Sequence, residues 1–523
     1  MQQEAPDSST APPGSLPGAA ARRQKRNPLR RRRLEVEDVN VVDHAMMKKA
    51  VGGTVVGNTM EWFDIGVYGY LAVTMGAVFL SDADPASQLL FSLGVFAATF
   101  VARPLGGVIF GRIGDRIGRQ KTLATTLILM AASTFAIGLL PGYAQIGMAA
   151  PVLLVLMKLL QGFSTGGEYA GATTFVSEYA PDKRRGFLAS ILDLGSYMGF
   201  ALGALTVSTL QLTLSEETML DWGWRIPFLI AGPLGAVAIY FRLKIEESPA
   251  FQATLDAQEE QAASAAGKDM DKDAVAQGTL GIFRTYWRPI VLAMVLVAAA
   301  NTVGYALTSY MPSYLTDSKG YDPLHGTLLT IPVLVIMALC IPLTGRLSDR
   351  IGRRPVLWMG AASTIALAIP AFVLIDQGPI WTTLLGLGLL AVPVTFYVAN
   401  LASALPALFP TASRYGAMGI AYNFAVAIFG GTAPLIMQGL ITLTGNDMMP
   451  AYYLMVTSAI GAVAIGIMKE SARRPMPGSM PSVATEEEAR ELVETQDENP
   501  LLDVDSLPFE PAQPAGPAAA GNR

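Results

Sequence analysis

The chain has 523 residues, of which 51% are hydrophobic and only 15% charged, with a formal net charge of -5 and a mean hydropathy of +0.40. Soluble proteins carry about 25% charged residues, so this composition excludes an ordinary water-soluble enzyme. One cysteine (Cys340) and two histidines (His44 and His325) exclude an intrachain disulfide and a Cys/His metal cluster.

The predicted elements begin with a polar arm over residues 1–45, rich in Pro, Ser and Ala, that carries Arg22, Arg23, Lys25, Arg26 and Arg30 to Arg33. It reads as a disordered arm, suited to contact with anionic lipid heads or simply to solvation. The apolar run that follows starts too far along the chain for a signal peptide. Hydropathy then gives twelve spans, near 50–80, 87–110, 122–141, 150–179, 187–211, 225–243, 288–316, 325–345, 355–375, 379–408, 415–440 and 449–468. Each is about as long as a bilayer crossing requires. The fold expected is therefore an all-α membrane protein of twelve transmembrane helices in two pseudo-symmetric six-helix bundles, residues 46–244 and 288–468. A charged central loop over 245–287 separates them, and an acidic, disordered tail over 469–523 ends the chain. Pro104, Pro312, Pro393, Pro406 and Pro434 are expected to kink their spans.

Lys and Arg mark loops retained inside the cell. One set of short loops holds Arg112, Arg116, Arg119, Lys121, Lys183, Arg184, Arg185, Arg346, Arg350, Arg353, Arg354 and Arg414, whereas the other holds essentially Lys319 alone. Both termini are expected to be cytoplasmic and the protein to lie in the inner (plasma) membrane. Within those loops, Gly111-Arg-Ile-Gly-Asp-Arg-Ile-Gly-Arg-Gln-Lys121 matches Gly345-Arg-Leu-Ser-Asp-Arg-Ile-Gly-Arg-Arg-Pro355 at seven of eleven positions. Each copy lies between the second and third spans of its half, as in transporters built from repeated bundles around a midplane site.

Charges inside a bilayer cost about 2.5 to 3.5 kcal/mol each on insertion scales and are retained mostly for pathways and proton relays. In span one, Gly57, Glu61, Asp64 and Tyr68 fall on one helical stripe. At 1.5 Å per residue Glu61 lies roughly 16 Å deep, Asp64 roughly 21 Å and Arg103 of span two roughly 12 Å, so Arg103 can pair with either acid. Glu61, Asp64 and Glu168 are the candidate proton-coupling residues. Arg103 either modulates them, holds a substrate carboxylate or forms a structural ion pair. Lys158 and Glu168 share span four but are too far apart to pair directly. Asp193 in span five is placed with a gate.

The paired loop motif, twelve spans and central polar loop resemble the major facilitator superfamily. Further blocks are similar to its metabolite:proton symporter branch: Gly57-Asn-Thr-Met-Glu-Trp-Phe-Asp-Ile-Gly-Val-Tyr-Gly69, Arg103-Pro-Leu-Gly-Gly107, Gln161-Gly-Phe-Ser-Thr-Gly-Gly-Glu-Tyr169 and Asp221-Trp-Gly-Trp-Arg-Ile-Pro227. Through Leu192 to Ser196, Tyr310 to Leu315 and Met448 to Tyr453 the similarity is greatest to its proline and glycine betaine transporters. The resemblance implies a proton symporter that takes up zwitterionic osmolytes by alternating access. The alternative is a symporter for di- or tricarboxylates. Neither an enzyme activity nor a cofactor, metal or nucleic acid is implied, and without a nucleotide-binding loop ATP is not the driver.

A quaternary ammonium is recognised by aromatic faces. The substrate-binding candidates are thus Trp62, Tyr68, Asn301, Tyr305 and Tyr310 with Arg103, and Tyr314, Tyr397 and Tyr422 are further aromatic candidates. By the same resemblance Asp115, Arg116, Arg119, Asp349, Arg350 and Arg353, with Asp193, form a gate of breakable salt bridges that closes the cytoplasmic side.

Overall fold

The computed structural model describes residues 33–117, 119–243 and 279–509. Most of the basic arm and the central loop over 244–278 lie outside the described residues, as do the side chains of Asp115, Arg116 and Arg119. Only helices and closed barrels satisfy every backbone group in lipid, and the apolar runs are helical throughout. Among the described residues, ten helices are long and apolar enough to cross a membrane. The bent pair His44–Tyr70 and Ala72–Phe79, which turns by 66°, makes an eleventh crossing as span one. Arg225–Leu243 stands in sixth place, although its apolar part, Arg225–Val237, is shorter than a full crossing.

The remaining spans are Pro85–Ile117 (two), Arg119–Leu139 (three), Ala149–Tyr179 (four), Arg185–Thr213 (five), Thr279–Tyr305 (seven), Thr330–Ile351 (eight), Arg353–Asp376 (nine), Ile380–Ala404 (ten), Arg414–Ala425 with Ala433–Thr444 (eleven) and Met449–Ile467 (twelve). In the first half span one packs on five, two on four and three on six; in the second, seven packs on eleven, eight on ten and nine on twelve. Adding six to each span number converts the first set into the second. The contacts between halves obey the same rule, since two meets eleven and eight meets five. Two six-helix bundles related by a pseudo-two-fold thus follow from the packing.

Three local features differ from the sequence expectation. Pro104 and Pro393 do lie inside helices, but Pro312 and Pro434 occupy first turns, where a missing N–H is harmless, and Pro406 opens a short 3-10 turn. Span seven begins at Thr279, inside the expected central loop, and bends at Tyr286. Residues 469–509 pack as a small module, whereas the acidic composition suggested a disordered tail. β1 (Asn40–Val41) pairs in parallel with β2 (Ser482–Val483), the helix Glu486–Glu494 covers them, and Leu34, Val39, Val483, Ala489 and Leu502 form an apolar cluster. The amide of Gln496 accepts from Leu34 N–H and donates to Leu34 C=O. Burial of those apolar side chains was hidden because acidic residues outnumber them. The module marks one side of the molecule, the terminal face.

Candidate functional site

Between the bundles, spans one, four, five, seven, ten and eleven line a small, partly open cavity. Its aromatic wall comes from both halves: Trp62, Tyr169, Tyr197 and Phe200 from the first, Tyr305 and Tyr422 from the second. Tyr169 and Tyr422 stack across the interface with centroids 4.2 Å apart, and the Trp62 ring lies 6.4 Å from that of Tyr305. The Tyr305 hydroxyl is buried and has no hydrogen-bond partner among the described residues. A five-residue π turn, Ala306–Tyr310, follows it directly, a departure from α geometry common at functional positions. Asn301 also lines the cavity and donates to Val297 C=O at 3.0 Å.

Span five contributes Asp193, Ser196, Tyr197 and Phe200, spaced so that they share one helical face. Asp193 lies in the cavity wall, away from the terminal face where the gate was expected. The Tyr169 hydroxyl donates to its two carboxylate oxygens at 3.1 and 3.3 Å. Asn58 ties this wall together: its amide donates to Leu192 C=O at 2.8 Å and to Ser196 Oγ at 2.5 Å, and its Oδ1 accepts from Trp62 Nε1 at 3.2 Å.

Behind the aromatic wall lie the membrane-depth charges, all buried. Arg103 Nη2 bonds Glu61 Oε1 at 3.2 Å, and its guanidinium lies 4.9 Å from the Phe100 ring and 5.9 Å from that of Trp62. The reachable ion pair is therefore made with Glu61. Asp64 enters a different network: Lys158 Nζ donates to Gln161 Oε1 at 2.6 Å, Gln161 Nε2 to Thr134 Oγ1 at 2.8 Å, and Thr134 Oγ1 to Asp64 Oδ2 at 2.8 Å. Tyr68 belongs to this network and not to the cavity, its ring 4.2 Å from Lys158 Nζ and its hydroxyl bonded to Ser92 C=O. Glu168 accepts from Thr126 Oγ1 at 2.8 Å. Tyr310 likewise stands outside the cavity lining and donates to Gln438 Oε1 at 3.1 Å. Tyr169, Tyr197 and Phe200 escaped the sequence search, although the polar and aromatic stripe of span five was a usable signal.

At the terminal face the two halves are bonded together. Asp349 accepts from the N–H groups of Gly186 and Phe187, both at 2.8 Å, at the N-terminus of span five, and Arg353 Nη2 approaches it at 3.5 Å. Arg350 is exposed. A second buried pair, Arg414 Nη1 to Glu178 Oε1 at 2.5 Å, joins span eleven to span four. The tail adds bonds to both halves: Arg473 Nε donates to Asp349 C=O, Arg414 Nη2 to Pro477 C=O, Arg185 Nη1 to Arg474 C=O, and Ser482 N–H to Asp182.

This architecture and sequence have recognisable relatives. The family described as sugar (and other) transporter matches residues 51–476. The chain belongs to that family, within the major facilitator superfamily. It is 50% identical to the ectoine/proline transporter ProP of Corynebacterium glutamicum over 91% of this chain and 95% of that one. Identity is 44% to the proline/betaine transporter of Salmonella typhimurium, covering 91% and 94%, and 43% to the glycine betaine/proline/ectoine/pipecolic acid transporter OusA of Dickeya dadantii, covering 90% and 93%. Among solved structures, the proton:xylose symporter XylE bound to a bromo-deoxyglucose superposes with a TM-score of 0.68 at 17% identity, covering 83% of this chain and 98% of that one. Against the inward-open form of XylE from E. coli, covering 81% and 97%, the score is 0.57. The chain is thus a multi-pass membrane protein of the major facilitator fold.

Proposed function

We propose that the protein is a secondary active symporter in which the proton gradient drives uptake of zwitterionic compatible solutes, proline and betaines among them. The observation that carries this reading is the cavity of six aromatic rings drawn from both bundles. Aromatic faces attract an ammonium that has no N–H to donate, at about 0.5 to 2 kcal/mol each, and among the described residues no lysine or arginine lines the cavity to favour a dianion. The names of relatives at 43–50% identity support the same substrate class.

Asp64 carries the proton. Glu61 is neutralised by Arg103 and serves as the ion pair that fastens span one to span two. Among the described residues Asp64 makes no salt bridge with Lys158, because Thr134 and Gln161 carry the hydrogen bonds between them, so protonating it breaks none. The terminal face is cytoplasmic, and Asp349 of span eight, bonded to the first turn of span five, forms with Arg353 the gate that closes it. The test is uptake of radiolabelled proline and glycine betaine into cells lacking their own carriers, with and without a protonophore. Accumulation that the protonophore abolishes is expected. Accumulation of 2-oxoglutarate with neither osmolyte would replace this reading by a carboxylate symporter.

A further inference from the structure

We infer that Asp193 is the residue that selects substrates whose ammonium still carries N–H groups, such as proline, over fully methylated ones such as glycine betaine. The inference rests on the zwitterion reading above and adds to it a basis for choosing among zwitterions. Asp193 is 3% exposed and lies in the cavity wall, and the ion pairs among the described residues do not include it. A buried carboxylate is costly unless a cation or several donors face it. From the protein it receives two neutral hydroxyls, that of Tyr169, shared between its two oxygens, and that of Ser196. The membrane-depth acids of span one have protein counter-charges, Arg103 for Glu61 and the Lys158 chain for Asp64. For Asp193 the missing counter-charge is the substrate ammonium.

The chemistry then divides the substrates. The secondary ammonium of proline has two N–H groups and makes charge-assisted hydrogen bonds to Asp193, whereas a trimethylammonium offers only its diffuse charge and depends on the rings of Trp62, Tyr197, Phe200, Tyr305 and Tyr422. Losing an acceptor for a charged donor costs roughly ten- to a hundred-fold in affinity.

Asp193→Asn is assayed beside the parent chain for proline and glycine betaine, both as uphill uptake in cells and as counterflow in preloaded proteoliposomes, which needs no proton gradient. The kcat/KM ratio of proline to betaine is expected to fall roughly ten-fold or more in both assays, with a parental yield of monodisperse purified protein as proof of folding. A ratio changed less than about threefold overturns the inference. Loss of uphill uptake for both substrates with counterflow intact also overturns it, and makes Asp193 a proton carrier. Asp193→Ser places a neutral oxygen on the same face without the charge and gives the same discrimination should the Asn variant fail to fold. If the parent chain moves neither solute, the substrate class itself is wrong, a failure distinct from an unchanged ratio.

Discussion

Asp64 and Lys158 carry opposite charges at membrane depth and communicate through two neutral side chains, Thr134 and Gln161. Such a spacing holds the carboxylate without locking it, because a proton can arrive at Asp64 while Lys158 keeps Gln161 and the Tyr68 ring as partners. Asp64→Asn is expected to abolish uphill, protonophore-sensitive accumulation while leaving counterflow within about threefold of the parent, whereas Glu61→Gln, which strands a buried guanidinium, should lower the amount of folded protein. Proton-coupled accumulation by the Asn variant at parental levels would remove Asp64 from the coupling step. At this scale the sequence was informative about which charges lie in lipid and silent about their partners. Spacing put Glu61, Asp64 and Tyr68 on one stripe, yet the structure sends Glu61 to Arg103, Asp64 to Thr134 of span three and Tyr68 to Lys158 of span four. Which neighbour fills the arc beside a helix depends on packing that a single-chain periodicity does not contain.

Between elements, the decisive contact is the close approach of spans five and eight at the terminal face. A Cβ on Gly345 would come within 2.2 Å of Ser190 Oγ and 2.6 Å of the Gly186 carbonyl, so these helices touch only because Gly345 has no side chain. Asp349 can then reach the amides of Gly186 and Phe187. Gly345→Val is expected to prop the two helices apart and slow transport ten-fold or more. In a Cys340→Ala background, a cysteine placed at Ser190 should then react faster with an impermeant maleimide applied from the terminal face. Unchanged labelling would show that the gate closes elsewhere. The repeat Gly345 to Pro355 flagged this region, but not Gly186, since a lone glycine in an arginine-rich loop reads only as a turn.

Across the whole molecule, the tail fastens the terminal face from outside the membrane. Glu470 accepts from the N–H groups of Arg353, Arg354, Ser471 and Ala472, beside Gly352, whose φ of +107° and lack of a side chain leave room for the carboxylate. Burial alone would push this carboxyl up, but the four donors outweigh it and hold it below the usual glutamate range. A lowered value in the folded state means that the contribution is fully present above the unfolded value of about 4.3 and is lost as pH falls through the folded one. Thermal stability of the purified protein is expected to decline in that acid window, and Glu470→Gln should flatten this component and lower stability at neutral pH. An identical acid profile in the variant would remove Glu470 from the linkage. The twelve spans and two bundles were legible because lipid imposes long apolar helices. The terminal module was not, because its few apolar residues are scattered among acids and become a core only against the N-terminal segment.

That pairing sets an order of events during synthesis. Leu34 leaves the ribosome early and its partner Gln496 is 462 residues later, so the strand at Asn40 stays unmatched until the last span has been inserted. Since chains fold from the N-terminus as they are made, the join between β1 and β2 is a closing step, made only after the last span has been synthesised. A ribosome that stops before Ser482 leaves that strand edge open at the terminal face.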